Sequence, residues 1–159
     1  MEVLDPRPGD SILEIGCGSG VAARLVCERL GDAGRLLALD RSAVAVRRTA
    51  ERNAAHVAGG RLEVRRATLA DAGLPPAGLD AAFAVDVNVF WTTPATAELA
   101  ALAAALRPGG AVHLLWGAGG PQPADRLTAA VAAGLVAAGF DGVTPRRSPQ
   151  GIGVSAVRP

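Results

Sequence analysis

Cysteine is scarce in this chain: there are two, Cys17 and Cys27. They lie ten positions apart with neither a Cys-x-x-Cys nor a His-containing metal spacing, which argues against a disulfide framework or a zinc site and leaves reduced thiols in a cytoplasmic protein as the expectation. Lysine is missing altogether. All 16 basic residues are arginine and 34 positions are alanine, a bias of high-GC codon usage rather than of chemistry. Charge of one sign is lacking too: 16 basic against 15 acidic residues give a formal +1, so no net field favours nucleic acid or anionic lipid as a partner. No apolar run reaches the roughly 18 to 20 residues of a membrane span. The first twenty residues hold no basic stretch followed by an apolar stretch and a cleavage site, so neither secretion nor membrane insertion is expected.

What is there is a chain of 159 residues, half of them hydrophobic and 3% aromatic, the profile of one domain over 1–159 with a single sizeable core. Short apolar runs alternate with segments of helical period, punctuated by Gly, Pro and Asp, the pattern of an open parallel α/β sheet. Strands are predicted at Ser11–Ile15, Arg35–Leu39, Arg61–Ala67, Asp80–Val85 and Ala111–Trp116. Two more, Gly142–Arg146 and Ile152–Val157, are close enough to form an antiparallel pair. Helices fill the gaps at Val21–Leu30, Ser42–His56, Ala95–Leu106 and Ala124–Ala138. Leu99, Leu102 and Leu106 in the third, and Leu127, Val131, Leu135 and Ala138 in the fourth, each give one apolar face to lay on a sheet. Ser42 suits a helix N-cap and Gly139 a left-handed helix stop. Adjacent Arg65 and Arg66 place the third strand at a sheet edge.

The informative stretch is Ile12-Leu-Glu14-Ile-Gly16-Cys17-Gly18-Ser-Gly20, a hydrophobic strand running into three glycines spaced by two and then a helix. Glycines there let bare backbone approach a ligand, and the helix start supplies unpaired N–H donors. Twenty positions beyond Gly20, Asp40 ends the second strand, where a carboxylate can accept both hydroxyls of an adenosine ribose. A dinucleotide fingerprint wants G-x-G-x-x-G/A, whereas here the third glycine comes one residue early and Val21 follows it. Glu14, beside the loop, would repel a diphosphate and suits a cationic ligand.

At these residues the sequence resembles the class I S-adenosylmethionine-dependent methyltransferase family. Glu14-Ile-Gly16-Cys17-Gly18-Ser-Gly20 is similar to its first motif, Leu39-Asp40-Arg41-Ser42 to its ribose-binding acidic turn, and Leu106-Arg-Pro-Gly-Gly110 to the turn into its fifth strand. Asp80-Ala-Ala-Phe83 and Asp86-Val-Asn88-Val-Phe90-Trp91 resemble the fourth-strand region, whose end lies beside the transferable methyl group. The resemblance implies a Rossmann-like doubly wound α/β fold: a seven-stranded, mostly parallel sheet with an antiparallel last strand and helices on both faces. It also implies that the backbone at Gly16, Cys17, Gly18 and Gly20 packs against the methionine part of S-adenosylmethionine, with Glu14 near its amino end, Asp40 on the ribose and Arg41 flanking the adenine. The family's acid after the third strand is replaced by Ala67-Thr68-Leu69 with Asp71 following, so either Thr68 takes the adenine amino contact or Asp71 reaches back. The family's capping helices ahead of the first strand have no counterpart here; the expectation is an open cleft, or one covered by a partner chain or a second copy.

Asp86 and Asn88, at the carboxyl end of a central strand, fall where open α/β sheets bind ligands. Asp86 is the candidate general base as well as a cofactor neighbour, and Asn88 and Trp91 are candidate substrate contacts. Phe90 and Trp116 are read as core. His113, inside a strand, reads as a hydrogen-bonded core histidine, His56 as a solvated residue near a helix end, and Arg47, Arg48 and Arg52 as one solvated helix face. Cys17, at a helix start, is in a setting that lowers a thiol's pKa, although filling the turn is reason enough for a small side chain. The segment Gly117–Pro123 borders the acceptor site and carries no charge that names an acceptor. The expected function is methyl transfer to a small, largely apolar acceptor, with no metal. Two alternatives stay open: a non-catalytic adenosyl-binding module serving a partner protein, and an NAD-dependent oxidoreductase.

Overall fold

The computed structural model describes residues 3–117 and 124–159. In chain order the elements are β1 (Ser11–Ile15), α1 (Val21–Cys27), β2 (Arg35–Asp40), α2 (Ala43–Arg52), α3 (Ala54–Ala58), β3 (Leu62–Arg66), β4 (Leu79–Val85), α4 (Val89–Thr92), α5 (Thr96–Ala105), β5 (Leu106–Gly117), α6 (Ala124–Ala137), β6 (Asp141–Ser148) and β7 (Gly151–Val157). The seven strands form one sheet in the order β3-β2-β1-β4-β5-β7-β6. Neighbouring strands from β3 to β5 run parallel, while β7 lies antiparallel to both β5 and β6. The doubly wound sheet expected from the sequence is therefore present, with β3 at an edge and β7 as the reversed strand.

Alternation along the strands divides the core in two. Leu13, Ile15, Ala82, Ala84, Val112 and Leu114 face Leu99 and Leu102 of α5 and Val131 and Leu135 of α6. Ile12, Ala38, Ala81 and Phe83 point the other way, onto Ala23, Val26 and Cys27 of α1. Glu14 shares the parity of Ile12, so its carboxyl is carried under α1 instead of into solvent, and it is 3% exposed. Cys17 and Cys27 are both free and buried.

Several boundaries depart from the sequence expectation. The helix expected over Ser42–His56 breaks at Asn53 into α2 and α3, because the buried Asn53 amide turns inward to donate to the carbonyls of Thr49 (2.8 Å) and Gly20 (3.0 Å). Helix α5 stops at Ala105, and β5 begins at Leu106 instead of Ala111. Leu106 pairs with Leu79, and the Pro-Gly-Gly segment is held by Gly109 N–H to Arg158 O and Arg158 N–H to Gly110 O. Short α4 was not anticipated, since four residues carry no helical period. Ser42 and Gly139 act as expected: the Ser42 hydroxyl accepts from Ala45 N–H, and Gly139, at φ +84°, closes α6.

The amino ends of the strands are tied by Asp80. Its Oδ2 accepts from Ser11 N–H (2.7 Å) and its Oδ1 from Arg107 Nε (2.5 Å). Partial burial pushes this carboxyl up, but those hydrogen bonds and the guanidinium outweigh it and hold it below the usual range. The opposite ends carry the site.

Candidate functional site

Three glycines with positive φ, Gly16 (+75°), Gly18 (+52°) and Gly20 (+75°), carry the chain from β1 into α1. The turn is pinned to the end of β2 by Gly16 and Cys17 N–H groups, both donating to Leu39 O at 2.8 and 3.0 Å. A Cβ on Gly16 would lie 2.5 Å from Val87 Cγ2, and one on Gly20 would lie 2.8 Å from Thr49 Cα and Asn53 Nδ2. At Gly18 nothing lies within 4 Å, so its bare face is open. Gly18 and Gly20 carbonyls also accept from Thr49 Oγ1 (3.4 Å) and Asn53 Nδ2 (3.0 Å). Thr49 in α2 and Asn53 at its C-terminal cap were not singled out from the sequence. Their local signal, two small polar side chains one turn apart, is one that a solvated helix face shows equally.

Asp40 stands at the end of β2 with both oxygens oriented by backbone, Oδ2 accepting from Gly18 N–H (3.0 Å) and Oδ1 from Ser42 N–H (2.9 Å). Each oxygen keeps a second lone pair for a hydroxyl donor. Arg41 is exposed beside it, its carbonyl accepting from Arg66 Nε at 3.3 Å. Below the loop, Glu14 is raised to about 8 by burial and by the nearby Asp40 charge, and its Oε2 is buried without a hydrogen-bond partner. Cys17 corrects the sequence expectation. It is 4% exposed, and burial pushes its thiol up to about 11, outweighing the bond to Thr49 that lowers it.

After β3, Thr68 donates its hydroxyl to Asp71 Oδ2 (2.5 Å), and Asp71 N–H returns to Thr68 (3.3 Å to Oγ1). Thr68 and Asp71 are thereby held to each other. Leu69 is 6% exposed and packs into the core facing α5 and α6, so only its backbone is left to meet a ligand.

The end of β4 lies beside the glycine loop, and Val87 packs on Gly16 there. This gap between β1 and β4, where chain order reverses, is the crevice in which open α/β sheets hold ligands. Asp86 and Asn88 are exposed at its edge. Asp86 has a left-handed backbone (φ +56°), and its Oδ1 accepts from Gly117 N–H at 3.0 Å, tying the ends of β4 and β5. Next to them a cavity of about 480 Å³ is lined by Phe90, Trp91, Leu99, Leu114, Val131 and Gly134 among others. The hydroxyls of Thr92 and Thr93 at its rim are spent on the carbonyls of Asn88 and Val89. Trp91 is half-buried and tilted at 48° against buried Trp116, ring centres 5.6 Å apart. Residues 118–123 of the segment expected to border the acceptor lie outside the described residues.

His113 sits away from the crevice. It is buried in β5, its Nδ1 shares a hydrogen with Ser155 Oγ (2.9 Å), and burial, with Arg146 adding to it, lowers its pKa to about 4. It is the core histidine expected from the sequence. Among the described residues there is no cluster of three or more His, Cys, Asp or Glu able to hold a metal, and no helix long and apolar enough to cross a membrane.

A glycine loop, a carboxylate at the next strand end and a crevice at the reversal of strand order define an α/β nucleoside-binding domain. The methyltransferase domain family model matches residues 12–110. The chain is 34% identical over 128 residues to nocamycin O-methyltransferase of Saccharothrix syringae, an alignment covering 80% of this chain and 43% of that protein. It thus spans under half the length of that relative. Among solved structures it is similar to a methyltransferase from Aquifex aeolicus (TM-score 0.80, 18% identity, 99% of this chain and 87% of that one). It is also similar to an O-methyltransferase from Thermotoga maritima (TM-score 0.79, 15% identity, 99% and 62%). At those identities the structural likeness speaks for the fold alone, and the sequence matches carry the family. The chain belongs to the class I S-adenosylmethionine-dependent methyltransferase family.

Proposed function

We propose that this domain binds S-adenosylmethionine in the crevice between β1 and β4 and transfers its methyl group to a small, largely apolar acceptor. The observation that carries the cofactor is the pairing of open Gly18 with Asp40, whose oxygens are fixed by the N–H groups of Gly18 and Ser42 and retain lone pairs for two ribose hydroxyls. Glu14 gives the methionine end an acid without a cation partner. Asp71, held by Thr68, is the acceptor offered to the adenine amino group, with the backbone at Leu69 and the exposed Arg41 beside the ring. The sulfonium of the bound cofactor makes its methyl group electrophilic; what remains for the protein is to hold the acceptor in line.

The aromatic cavity behind Trp91 supports an apolar acceptor, because its rim hydroxyls already donate to backbone carbonyls and its walls offer dispersion contact. A relative named as an O-methyltransferase favours a hydroxyl acceptor. Asp86 is then the base: Oδ1 is committed to Gly117 N–H and Oδ2 is left for the acceptor's proton. Asn88, exposed one turn before Trp91, orients the acceptor.

Calorimetric titration with S-adenosylhomocysteine tests the cofactor. Binding that Asp40→Ala abolishes is the expected result, and preference for NAD would overturn it. With an acceptor in hand, Asp86→Asn keeps the bond to Gly117 but removes the base, so turnover falls by about 10²-fold or more; wild-type turnover across the pH range would remove Asp86 from the mechanism.

A further inference from the structure

Trp116 is a buried side chain whose one polar group the fold does not use. It is 2% exposed, and its indole Nε1 is sealed from water with no hydrogen-bond acceptor among the described residues. That N–H can only donate. Asn53 Oδ1 and Arg61 Nε are sealed and unpartnered as well, but those side chains bond through other atoms, Asn53 to Gly20 and Thr49 and Arg61 to Asp32. The indole has no second polar atom, so a tryptophan kept here for bulk alone carries an orphaned donor that phenylalanine would not. Its place is the acceptor side of the crevice. Trp116 shares with Leu114 the face of β5 turned to α5 and α6, two residues nearer the carboxyl end of the strand. Leu114 lines the aromatic cavity, and so does Trp91, whose ring packs on that of Trp116. The residues on either side of Trp116 are both bonded to Asp86: Leu115 O accepts from Asp86 N–H (2.9 Å), and Gly117 N–H donates to Asp86 Oδ1 (3.0 Å). Donor and base are therefore carried on neighbouring strand ends, whose backbones lie about 5 Å apart. Trp91 is half-buried and belongs to the four-residue α4, so its ring can turn aside from the indole with little loss of burial.

We infer that the Trp116 indole N–H is the donor that selects the acceptor, and that the acceptor carries a carbonyl oxygen beside its reactive hydroxyl, as an ortho-acylphenol or the enol of a dicarbonyl does. This rests on the acceptor reading of the cavity above. The apolar body of such a molecule lies in the cavity, its carbonyl accepts from Trp116, and its hydroxyl is left facing Asp86. A donor and a base so close together call for two oxygens on one short segment of the ligand. The indole N–H is already stripped of water in the empty protein, so pairing it costs the hydration of the carbonyl alone. A plain phenol or alcohol of the same shape gains nothing from it. Selection therefore comes from what the right acceptor adds, not from a penalty on the wrong one.

The test titrates the purified chain, in the presence of S-adenosylhomocysteine, with two probes of nearly one shape: ortho-hydroxyacetophenone, which has the carbonyl, and ortho-ethylphenol, which lacks it. The chain holds two tryptophans, so its heteronuclear spectrum has two indole N–H signals, told apart by the one that Trp91→Phe removes. The expected result is a downfield shift of the Trp116 signal with ortho-hydroxyacetophenone and none with ortho-ethylphenol. In Trp116→Phe the first probe should bind about tenfold more weakly and the second as in the wild type. A Trp116 signal that stays in place while ortho-hydroxyacetophenone binds, an equal shift with both probes, or an equal loss of both in Trp116→Phe would overturn the inference and leave the cavity as the acceptor site. The wild-type spectra decide the matter even where Trp116→Phe does not fold. Binding of neither phenol by the wild-type chain overturns the acceptor reading of the cavity and this inference together.

Discussion

Gly18 and Gly20 share a left-handed backbone, yet the same substitution should fail for different reasons at the two positions. At Gly20 a methyl group meets the backbone of α2 at 2.8 Å, so Gly20→Ala adds a clash to left-handed strain and costs about 3 kcal/mol of stability. At Gly18 the methyl group meets nothing, so Gly18→Ala costs only about 1 kcal/mol, all of it conformational. Its methyl group would instead occupy the space opened to the cofactor. Urea denaturation should therefore separate the two variants, with Gly18→Ala nearly as stable as wild type and deficient in S-adenosylhomocysteine binding. Equal destabilisation of both would mean that Gly18 also serves packing.

At the scale of elements, α2 is a clamp on the glycine loop as much as a cover for the sheet. Asn53→Ala removes a buried donor to Gly20 O and to Thr49 O, leaving them with the backbone N–H groups of Arg24 and of residue 53, and should cost about 1 kcal/mol. The loss should register in the loop: amide exchange at Cys17 to Gly20 should quicken relative to β4, and unchanged exchange would deny α2 this role. This clamp also marks the limit of what the sequence makes legible. Strand positions, the reversed pair β6–β7 and the glycine turn follow from periods of two and from residues with special backbone freedom, which are local properties. Glu14 and Asp40 were legible because acids flanking such a turn have few structural uses. Thr49 and Asn53 were not, since their partners lie 31 and 33 residues away and a polar residue on a helix reads as solvated. The same holds for β5: its early start depends on Arg158, 48 or 49 positions downstream of Gly110 and Gly109. Asp86 was singled out by position, but its bond to Gly117 was hidden by the intervening chain.

For the molecule as a whole, two buried titratable groups predict the shape of the pH–stability curve. His113 is lowered to about 4 in the folded state, so below its unfolded value near 6.5 the unfolded chain binds the extra proton and stability falls with acid until about pH 4. Glu14 is raised to about 8, so above its unfolded value near 4.5 the folded chain binds the extra proton and stability falls as pH rises to about 8. Between about 4.5 and 6.5 the two slopes oppose and cancel. The curve should therefore be flat there, drop on the order of 2 kcal/mol from pH 6.5 to 8, and drop again below 4.5, where Asp80 and its bonds to Ser11 and Arg107 begin to be lost as well. Glu14→Gln should abolish the alkaline fall and leave stability rising from pH 4 to 6.5. Urea midpoints across this range are the measurement, and a midpoint that climbs between pH 6.5 and 8 in the wild type would contradict the assignment.

The reversed strand has a consequence for biosynthesis. Because β7 is seated between β5 and β6, the strand made sixth has no place in the sheet until the strand made last arrives. A ribosome that has delivered everything through Ser148 holds a five-stranded parallel sheet with a bare β5 edge and a loose sixth strand beside it. Completion of the sheet, and the covering of its most central open edge, is thereby deferred until residues 151–157 have left the exit tunnel. For as long as translation pauses before them, that edge is the place where a second nascent chain could pair.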